Sequence, residues 1–250
     1  VAEGKLRLGG VEVSFHPAGH ILGSAQIRLA CADGPVIVVS GDYCRTPNPV
    51  CAPWEPVACD IFVTEATFGL PVFKHPDPAA ETHRLLASMA EFPDRAHLVG
   101  AYALGKAQRI IAHLREAGWE RPIYVHGALE RLNALYEREG VALGPILPTR
   151  DLPKGSLGGE VAIAPPSAIQ DRWARRFAEP VAAFASGWMG VRARARQKGV
   201  ELPLVVSDHA DWDELTDTLT EIAPREVWVT HGREDALVHW CTTRQIKARA

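Results

Sequence analysis

The sequence predicts an α/β fold in which one domain is interrupted by another. Short runs rich in β-branched residues, typical of buried strands, occur near both ends of the 250-residue chain. Between them strand-like and helix-like segments alternate, and such alternation predicts a parallel sheet. Strands that end in a polar residue, as in the first part of the chain, return after about residue 203. We therefore expect the first domain to resume there.

Turn residues and helical spacing place the individual elements. Gly9-Gly10 and Asp33-Gly34-Pro35 mark turns between the first strands, and prolines between residues 71 and 78 end that region. Apolar residues at helical spacing support a helix at 104–117, which Gly118 is placed to end. The predicted order after residue 78 is helix 79–91, strand 97–102, helix 104–117, strand 122–125, helix 128–139, a loop over 144–159, strands 161–164 and 181–185, a helix from about Trp188, strand 203–207, helix 212–222, strand 226–230 and helix 234–248.

Composition narrows the class of protein. The net charge of -3 argues against a broad basic surface, so a nucleic acid would have to be bound along a local track. No apolar run approaches the ~18–20 residues that span a membrane. Five cysteines without a Cys-x-x-Cys pair disfavour a disulfide framework and favour the cytoplasm. A zinc cluster of Cys44, Cys51 and Cys59 is disfavoured because their spacing fits no structural zinc pattern.

Five apolar runs each lead to a histidine or a carboxylate. Ligand sites in α/β folds lie beyond the carboxyl ends of strands, so we expect these side chains to meet at one edge. The alternative is that each is a polar strand end facing water, which is the better explanation for one such residue and the poorer one for five. The residues are His20, Asp42, Glu65, His209 and His231.

This set of side chains predicts a metal hydrolase. Imidazole and carboxylate are zinc ligands, and a carboxylate can bridge two ions. Two ions about 3.5–4 Å apart can hold a hydroxide and neutralise the attacking and leaving oxygens of a phosphodiester. We expect Asp42 to bridge two divalent ions, Zn²⁺ or Mn²⁺, while His20 and His231 each bind one. Glu65 is expected to orient His209 as proton donor to the leaving group.

Successive motifs of the chain resemble those of metallo-β-lactamase-fold nucleases of the β-CASP class. They are HPAGHILGSAQ (16–26), SGDY (40–43), TEATFG (64–69), SDHADW (207–212) and THG (230–232). Four further segments are most similar to the bacterial DNA ligase-associated exonucleases: FGLP (68–71), AYALGKAQ (101–108), YVHG (124–127) and FASGW (184–188). The resemblance covers nearly the whole chain.

The resemblance implies a fold and roles for the site residues. The fold is a metallo-β-lactamase αββα sandwich with an inserted β-CASP α/β domain. The first domain then occupies 1–75 and returns at 201–250, and the inserted domain occupies 76–200. His20 and His231 are implied as terminal metal ligands and Asp42 as the bridging one. Glu65 and His209 match the motifs associated with proton transfer.

One motif of the class is absent from this sequence. The class opens with His-x-His-x-Asp-His, which supplies four ligands, whereas here His16 and His20 are four residues apart and no Asp-His follows them. We therefore expect a fragment, with a sandwich incomplete at its N-terminus by several dozen residues and a few residues missing at the C-terminus. Three ligands, one of them shared, imply weak ion binding, so we do not expect the chain alone to hydrolyse a substrate at a useful rate.

The inserted region offers basic and polar contacts for a substrate. Lys106 and Arg109 open a helix whose N-terminal amides could meet a phosphate, with exposed helix residues as the favoured alternative. His126 follows a strand, Ser186 lies in a turn, and both join Lys106 as candidate substrate contacts. Two arginine-rich groups near that turn either contact the phosphates along a nucleic-acid strand or form the solvated face of a helix. They are Arg172, Arg175 and Arg176, then Arg192, Arg194, Arg196 and Lys198. Trp188 and Trp212 could stack bases, but core packing is commoner for tryptophan.

Three functions remain open from the sequence. The leading hypothesis is a metal-dependent DNA exonuclease acting in repair, with a DNA ligase and a helicase as partners. The second keeps the fold and changes the substrate to RNA, as in 3′-end processing. The third is a non-catalytic module that binds nucleic acid in a salt-sensitive manner. A serine hydrolase is disfavoured by the lack of Gly-x-Ser-x-Gly, and a nucleotide switch by the lack of a P-loop.

Overall fold

The computed structural model describes residues 4–153, 155–197 and 199–250. Lys198, the last member of the second arginine-rich group, lies outside the described residues. The strands, in chain order, are β1 (Leu6–Leu8), β2 (Val11–Pro17), β3 (Ala25–Cys31), β4 (Val36–Val39), β5 (Ile61–Ala66), β6 (His97–Gly100), β7 (Ile123–Val125), β8 (Ile146–Pro148), β9 (Val161–Ala164), β10 (Val181–Ala185), β11 (Leu202–Leu204), β12 (Glu226–Gly232) and β13 (Lys247–Arg249).

The helices are interspersed with these strands. The α-helices are α1 (Pro78–Glu91), α2 (Lys106–Glu116), α3 (Gly127–Arg138), α4 (Arg192–Gln197), α5 (Trp212–Ile222) and α6 (Glu234–Thr243), and 3₁₀ helices cover Pro166–Gln170, Ala174–Arg176 and Gly187–Gly190. Two compact units result, one formed by the chain up to Lys74 together with Asp208–Ala250, the other by His75–Ser207. The α/β fold predicted from the sequence is confirmed. Within the described residues, every helix is too short or too polar to cross a membrane.

The first unit contains a seven-stranded sheet in the order β1-β2-β3-β4-β5-β12-β13. Its first four strands are antiparallel, and β4, β5, β12 and β13 run parallel to one another. One face of the sheet packs on helices α5 and α6, because apolar residues of both elements point into a common core. That core includes Val38, Phe62, Val227, Val229, Leu215, Leu219 and Leu237.

The opposite face of this sheet carries exposed apolar side chains. Phe15 on β2 is paired with Ile27 on β3, and these residues are 39% and 36% exposed. On the neighbouring edge strand, Leu6 and Leu8 pair with residues of the same face and are exposed by more than half. We call these four residues the outer apolar face.

The second unit contains a six-stranded sheet in the order β11-β10-β6-β9-β7-β8. Every neighbouring pair in it is parallel. The central strands β6 and β9 are buried along their whole length, as expected for strands covered on both faces. The parallel sheet predicted from strand–helix alternation is therefore present here.

The boundaries of the units differ from the predicted domain limits. The chain passes between units after Lys74 and after Ser207, whereas the sequence analysis placed the limits after residues 75 and 200. Residues 201–207 lie in the second unit because β11 pairs with β10, with Leu202 opposite Ala183. The apolar run at 203–207 resembled the strands of the first domain, but it completes the sheet of the second unit.

Three predicted elements are corrected by the structure. The last helix ends at Thr243 rather than 248, because Gln245 adopts a positive φ of 60° and the chain then extends as β13 beside β12. The predicted loop over 144–159 contains the edge strand β8. The helix expected from about Trp188 consists of a 3₁₀ turn followed by the short helix α4.

Candidate metal centre

His20 lies in a tight loop after β2. The position before it, residue 19, has to be glycine for the chain to follow this path. Gly19 has φ of 71°, and a Cβ there would clash with the carbonyl oxygen of Cys44. The Ser24 hydroxyl accepts hydrogen bonds from the His20 and Ile21 N–H groups, both at 3.2 Å. Asn48 donates from Nδ2 to the His20 carbonyl at 3.2 Å. The main chain on both sides of His20 is thereby held in place.

The ring of His20 is oriented by a main-chain carbonyl. Its Nδ1 lies 2.9 Å from the carbonyl oxygen of Asp208, and since a carbonyl can only accept, Nδ1 carries the proton. Neutral His20 therefore has its lone pair on Nε2, which lies 3.9 Å from Oδ2 of Asp42. Asp42 follows β4 and its side chain is partly exposed. A carboxylate oxygen and an imidazole lone pair thus face the same small volume.

Glu65 is a buried carboxylate at the end of β5, with 2% of its surface exposed. It accepts a hydrogen bond from the Tyr43 N–H at 2.9 Å and from Nδ1 of His209 at 3.0 and 3.1 Å. Burial alone raises the pKa of Glu65, but the hydrogen bond and charge of His209 outweigh it and the pKa lies below its usual value. Glu65 is consequently ionised and holds the His209 ring in one orientation.

These contacts bring three side chains to one point. His20, Asp42 and His209 each offer a ligand atom within 4.8 Å of the other two. The two imidazole rings are 4.8 Å apart between centroids. Two imidazoles and a carboxylate are the donor set of zinc and related divalent ions, so the residues present fit such an ion. Both rings are held through Nδ1 by an acceptor, the arrangement that directs Nε2 toward a metal.

Main-chain hydrogen bonds join the segments that carry this group. The Cys44 N–H donates to the Ala18 carbonyl at 3.1 Å, and the Ala210 N–H donates to the Tyr43 carbonyl at 2.6 Å. Ala18, Tyr43 and Ala210 lie within two residues of His20, Asp42 and His209. The side chains are therefore carried by a single hydrogen-bonded cluster of loops within the first unit.

His231 is not in this three-residue group, which contains His209 where the sequence analysis placed His231. It lies at a register shift of β12, between Thr230, which is paired with Glu65, and Gly232, which is paired with Ala66. Its backbone is left-handed, with φ of 54°, and the residue is exposed. Such bulges are common next to active sites, and the role of His231 as a metal ligand stays a prediction.

The predicted substrate contacts Lys106, His126 and Ser186 lie in the second unit. His126 and Ser186 directly follow β7 and β10, and Lys106 is the first residue of α2. His126 and Ser186 act as helix N-caps, accepting hydrogen bonds from the N–H groups of Ala128 and Trp188 at 3.1 and 3.3 Å. Lys106 is buried, with its ammonium 5.9 Å from the centre of the Tyr102 ring. Any contact of these three residues with substrate stays a prediction.

Three N–H groups at the start of α2 already have acceptors within the chain. The N–H groups of Lys106 and Ala107 donate to main-chain carbonyls within the loop, and the N–H of Gly105 donates to Gln108 Oε1 at 2.8 Å. The alternative of exposed helix residues also fails. Arg109 is fully buried and donates to the Ser207 carbonyl, and Lys106 is only 4% exposed.

The arginine-rich groups divide into structural and exposed members. Arg176 donates to the carbonyls of Thr149, Arg150 and Leu152, so it supports the fold of the second unit. Arg194 stacks over the Trp188 ring at 3.9 Å. Trp212 is partly buried against the core of the first unit. The exposed members of the groups are Arg172, Arg175, Arg192, Arg194 and Arg196.

Comparisons with known proteins were made for the whole chain. No family model matches it. It is 27% identical to a probable DNA ligase of Opitutus terrae over 88% of this chain and 21% of the ligase. It is 30% identical to endoribonuclease ysh1 of Emericella nidulans over 52% of this chain and 14% of that protein. An RNase J-like protein of Methanocaldococcus jannaschii is also 30% identical, over 50% of this chain and 32% of the relative.

Among solved structures, a protein of unknown function from Enterococcus faecalis V583 superimposes with a TM-score of 0.64 and 14% identity. The match covers 99% of this chain and 63% of that protein, and it shows a shared fold alone. The chain spans about a fifth of the ligase relative and less than a third of the two nuclease relatives. These relatives, one named a probable DNA ligase and two named ribonucleases, support the motif resemblance described from the sequence.

Proposed function

We propose that the chain carries part of a metal-dependent phosphodiesterase of the metallo-β-lactamase, β-CASP architecture. The observation that supports it is the convergence of His20, Asp42 and His209, with two rings held through Nδ1 by acceptors. A surface cluster of charges would not need its histidines oriented by a buried carboxylate and a main-chain carbonyl. An ion-binding site does need this, because fixed donors lower the cost of ordering on binding.

The residues of the chain would divide the work as follows. His20 and Asp42 would hold a divalent ion, Zn²⁺ or Mn²⁺, and the second carboxylate oxygen of Asp42 would be available to another ion. A bound ion supplies a hydroxide nucleophile at neutral pH and neutralises charge on phosphate oxygens. Glu65 holds Nδ1 of His209, so that the imidazolium form of His209, which is protonated on Nε2 as well, would deliver a proton from Nε2 to the leaving oxygen. His231 as ligand of a second ion stays a prediction.

DNA is the substrate that the comparisons favour. The relative named a probable DNA ligase matches 88% of this chain, whereas the endoribonuclease and the RNase J-like protein match about half of it. We therefore infer a DNA exonuclease that acts in repair alongside a DNA ligase. A helicase partner has no support beyond the motif resemblance.

Digestion of matched substrates tests the proposal. End-labelled DNA and RNA of one sequence are incubated with the chain and Mn²⁺ or Zn²⁺, with and without chelator, beside the Asp42→Ala variant. We expect slow shortening of DNA that both chelator and Asp42→Ala abolish. Cleavage that survives Asp42→Ala would exclude this site as its source. Faster cleavage of RNA than of DNA would instead select an RNA-processing nuclease.

The same experiment separates a second candidate, a non-catalytic nucleic-acid-binding module. This candidate is favoured by the exposed arginines of the second unit, which are not taken up by carbonyl contacts as Arg176 is. It predicts binding that weakens steeply with salt and no chelator-sensitive cleavage. Gel-shift measurements at two salt concentrations on the digestion samples distinguish the two.

A further inference from the structure

Glu214, in the first turn of α5, lies between the two segments that carry Asp42 and His209. Its Oε1 accepts from the Thr46 hydroxyl at 2.7 Å and from the Thr46 main-chain N–H. Its Oε2 lies 3.4 Å from the N–H of Asp211. Thr46 is four residues after Asp42, and Asp211 is two residues after His209. One carboxylate therefore contacts both segments.

Part of this arrangement is an ordinary helix start. The Asp211 carboxylate accepts from the Glu214 N–H at 3.0 Å, and with the contact from Asp211 N–H to Glu214 this forms a capping box. A capping box uses only one carboxylate oxygen. The second oxygen of Glu214 accepts hydrogen bonds from the N–H and the hydroxyl of Thr46, which lies outside the helix. Formation of the helix does not require these two hydrogen bonds.

The two segments are also joined next to the metal-binding group. The Ala210 N–H donates to the Tyr43 carbonyl, and the Tyr43 N–H donates to Glu65, which in turn holds His209. Movement of residues 42–46 away from α5 would therefore shift Asp42 relative to His209. Within this cluster, Glu214 holds the far end of the Asp42 loop on the side of His209. Arg45 ties the same loop to the later turns of α5 through Thr218 and Glu221.

We propose that Glu214 is a positioning residue that sets the distance between Asp42 and His209. The effect on ion affinity rests on the proposed function, but the effect on the two segments does not. Outer partners of metal ligands commonly change metal affinity by about 10–100-fold when substituted. A change of that size is expected when the contact to Thr46 is lost.

Two variants separate positioning from helix capping. Glu214→Gln keeps a residue that serves in capping boxes as well as glutamate does, but its single acceptor oxygen cannot serve both Thr46 and Asp211. Thr46→Val removes the hydroxyl donor and leaves α5 unaltered. Asp217→Asn is the matched control, since it removes one exposed carboxylate from the same helix.

Three measurements are made on the parent chain and these variants: hydrogen exchange, titration calorimetry with Mn²⁺ and with Zn²⁺, and urea unfolding. We expect Glu214→Gln and Thr46→Val to accelerate amide exchange in residues 42–48 and 209–211 and to weaken ion binding about 10–100-fold. Asp217→Asn should leave both the amide exchange rates and the ion affinity within a factor of about two of the parent values.

Unchanged exchange in residues 42–48 in both variants would overturn the proposal. Faster exchange spread evenly over the first unit, with a matching loss of unfolding free energy, would also overturn it, since the role would then be structural. If the parent chain binds no ion while the variants still exchange faster in residues 42–48 and 209–211, positioning by Glu214 stands and the proposed metal function fails.

Discussion

The orientation of two imidazole rings determines what the site can bind. A carbonyl oxygen or a carboxylate at Nδ1 selects the tautomer with its lone pair on Nε2, and this holds for His20 at the Asp208 carbonyl and for His209 at Glu65. Neither ring then has to change tautomer when an ion arrives. A site prepared in this way binds at lower cost than one that must reorganise.

Asp42 supplies the carboxylate of the three-residue group that the described residues contain, and Asp42→Ala removes it. We expect the affinity of the chain for Mn²⁺ or Zn²⁺ to fall by more than the about 100-fold that outer partners cause. Titration calorimetry measures it, and Asp33→Ala, in an exposed turn, is the control. Ion affinity retained by Asp42→Ala would refute its role as a ligand.

His209→Ala distinguishes a proton donor from a ligand. If His209 donates a proton, the variant should keep its bound metal and lose turnover by about 100- to 10,000-fold, the usual contribution of general acid catalysis. Metal content by atomic absorption and the digestion rate are measured on the same sample. Metal lost together with activity would assign His209 as a ligand, as its place in the three-residue group also permits.

The sequence predicted residue types at strand ends better than it predicted their supports. His20, Asp42, Glu65 and His209 each follow an apolar run. In the structure His20, Asp42 and His209 lie together, and Glu65 is hydrogen-bonded to His209. Ser24 and Asn48 were not singled out because they act on the main chain of His20, which depends on the path of the loop. The Asp211–Glu214 capping box matches D-x-x-E before an apolar helix, a signal that the sequence analysis did not use, and its contact to Thr46 has no local sequence signal.

At the scale of elements, α1 and β6 are linked through a buried histidine. His97, at the start of β6, is fully buried and its Nε2 lies 2.9 Å from the Ser88 hydroxyl on α1. Burial lowers the pKa of His97 below its usual value, so the folded chain holds the ring neutral where the unfolded chain would protonate it. The stability that this ring contributes is complete above the unfolded pKa of about 6.5 and is lost as pH falls toward the folded pKa.

His97→Gln should therefore reduce the loss of stability in acid. Because glutamine does not titrate, we expect the unfolding free energy of the variant to change less between pH 7.5 and pH 5 than that of the parent. Urea unfolding at the two pH values measures this difference. His239→Gln, at an exposed position, should keep the slope of the parent. A His97→Gln slope equal to that of the parent would contradict the assignment.

Long elements were predicted more accurately than short edge strands. The helix at 212–222 and the strands at 161–164 and 181–185 occur as predicted, because their apolar spacing or β-branched runs are strong local signals. The three-residue strands β8 and β13 lie at sheet edges, where one neighbour supplies the pairing. Three residues carry too little periodicity to indicate a strand, and only the tertiary pairing defines it.

At the scale of the whole molecule, each unit has its own apolar core around its own sheet. The chain leaves the first unit after Lys74 and returns after Ser207, so the first unit is built from two separate stretches of sequence. Strand-like runs after residue 203 predicted this interruption, although the first of them lies in the second unit and β12 is the run that rejoins the first sheet. The exact limit depended on which sheet β11 joins, and an isolated apolar run does not specify its partner strand.

The outer apolar face should govern the solution behaviour of the chain. Adjacent exposed apolar side chains promote association, and Phe15 and Ile27 lie directly opposite each other on paired strands. Phe15→Thr with Ile27→Thr keeps β-propensity, because threonine is itself a good strand former, while it removes exposed apolar area. We expect the double variant to stay monodisperse at about tenfold higher concentration than the parent, as measured by light scattering, at little cost in unfolding free energy.

Leu147→Thr, at a single exposed apolar residue on β8, is the matched control and should change this concentration little. Equal self-association of the double variant and the parent would show that another surface controls it.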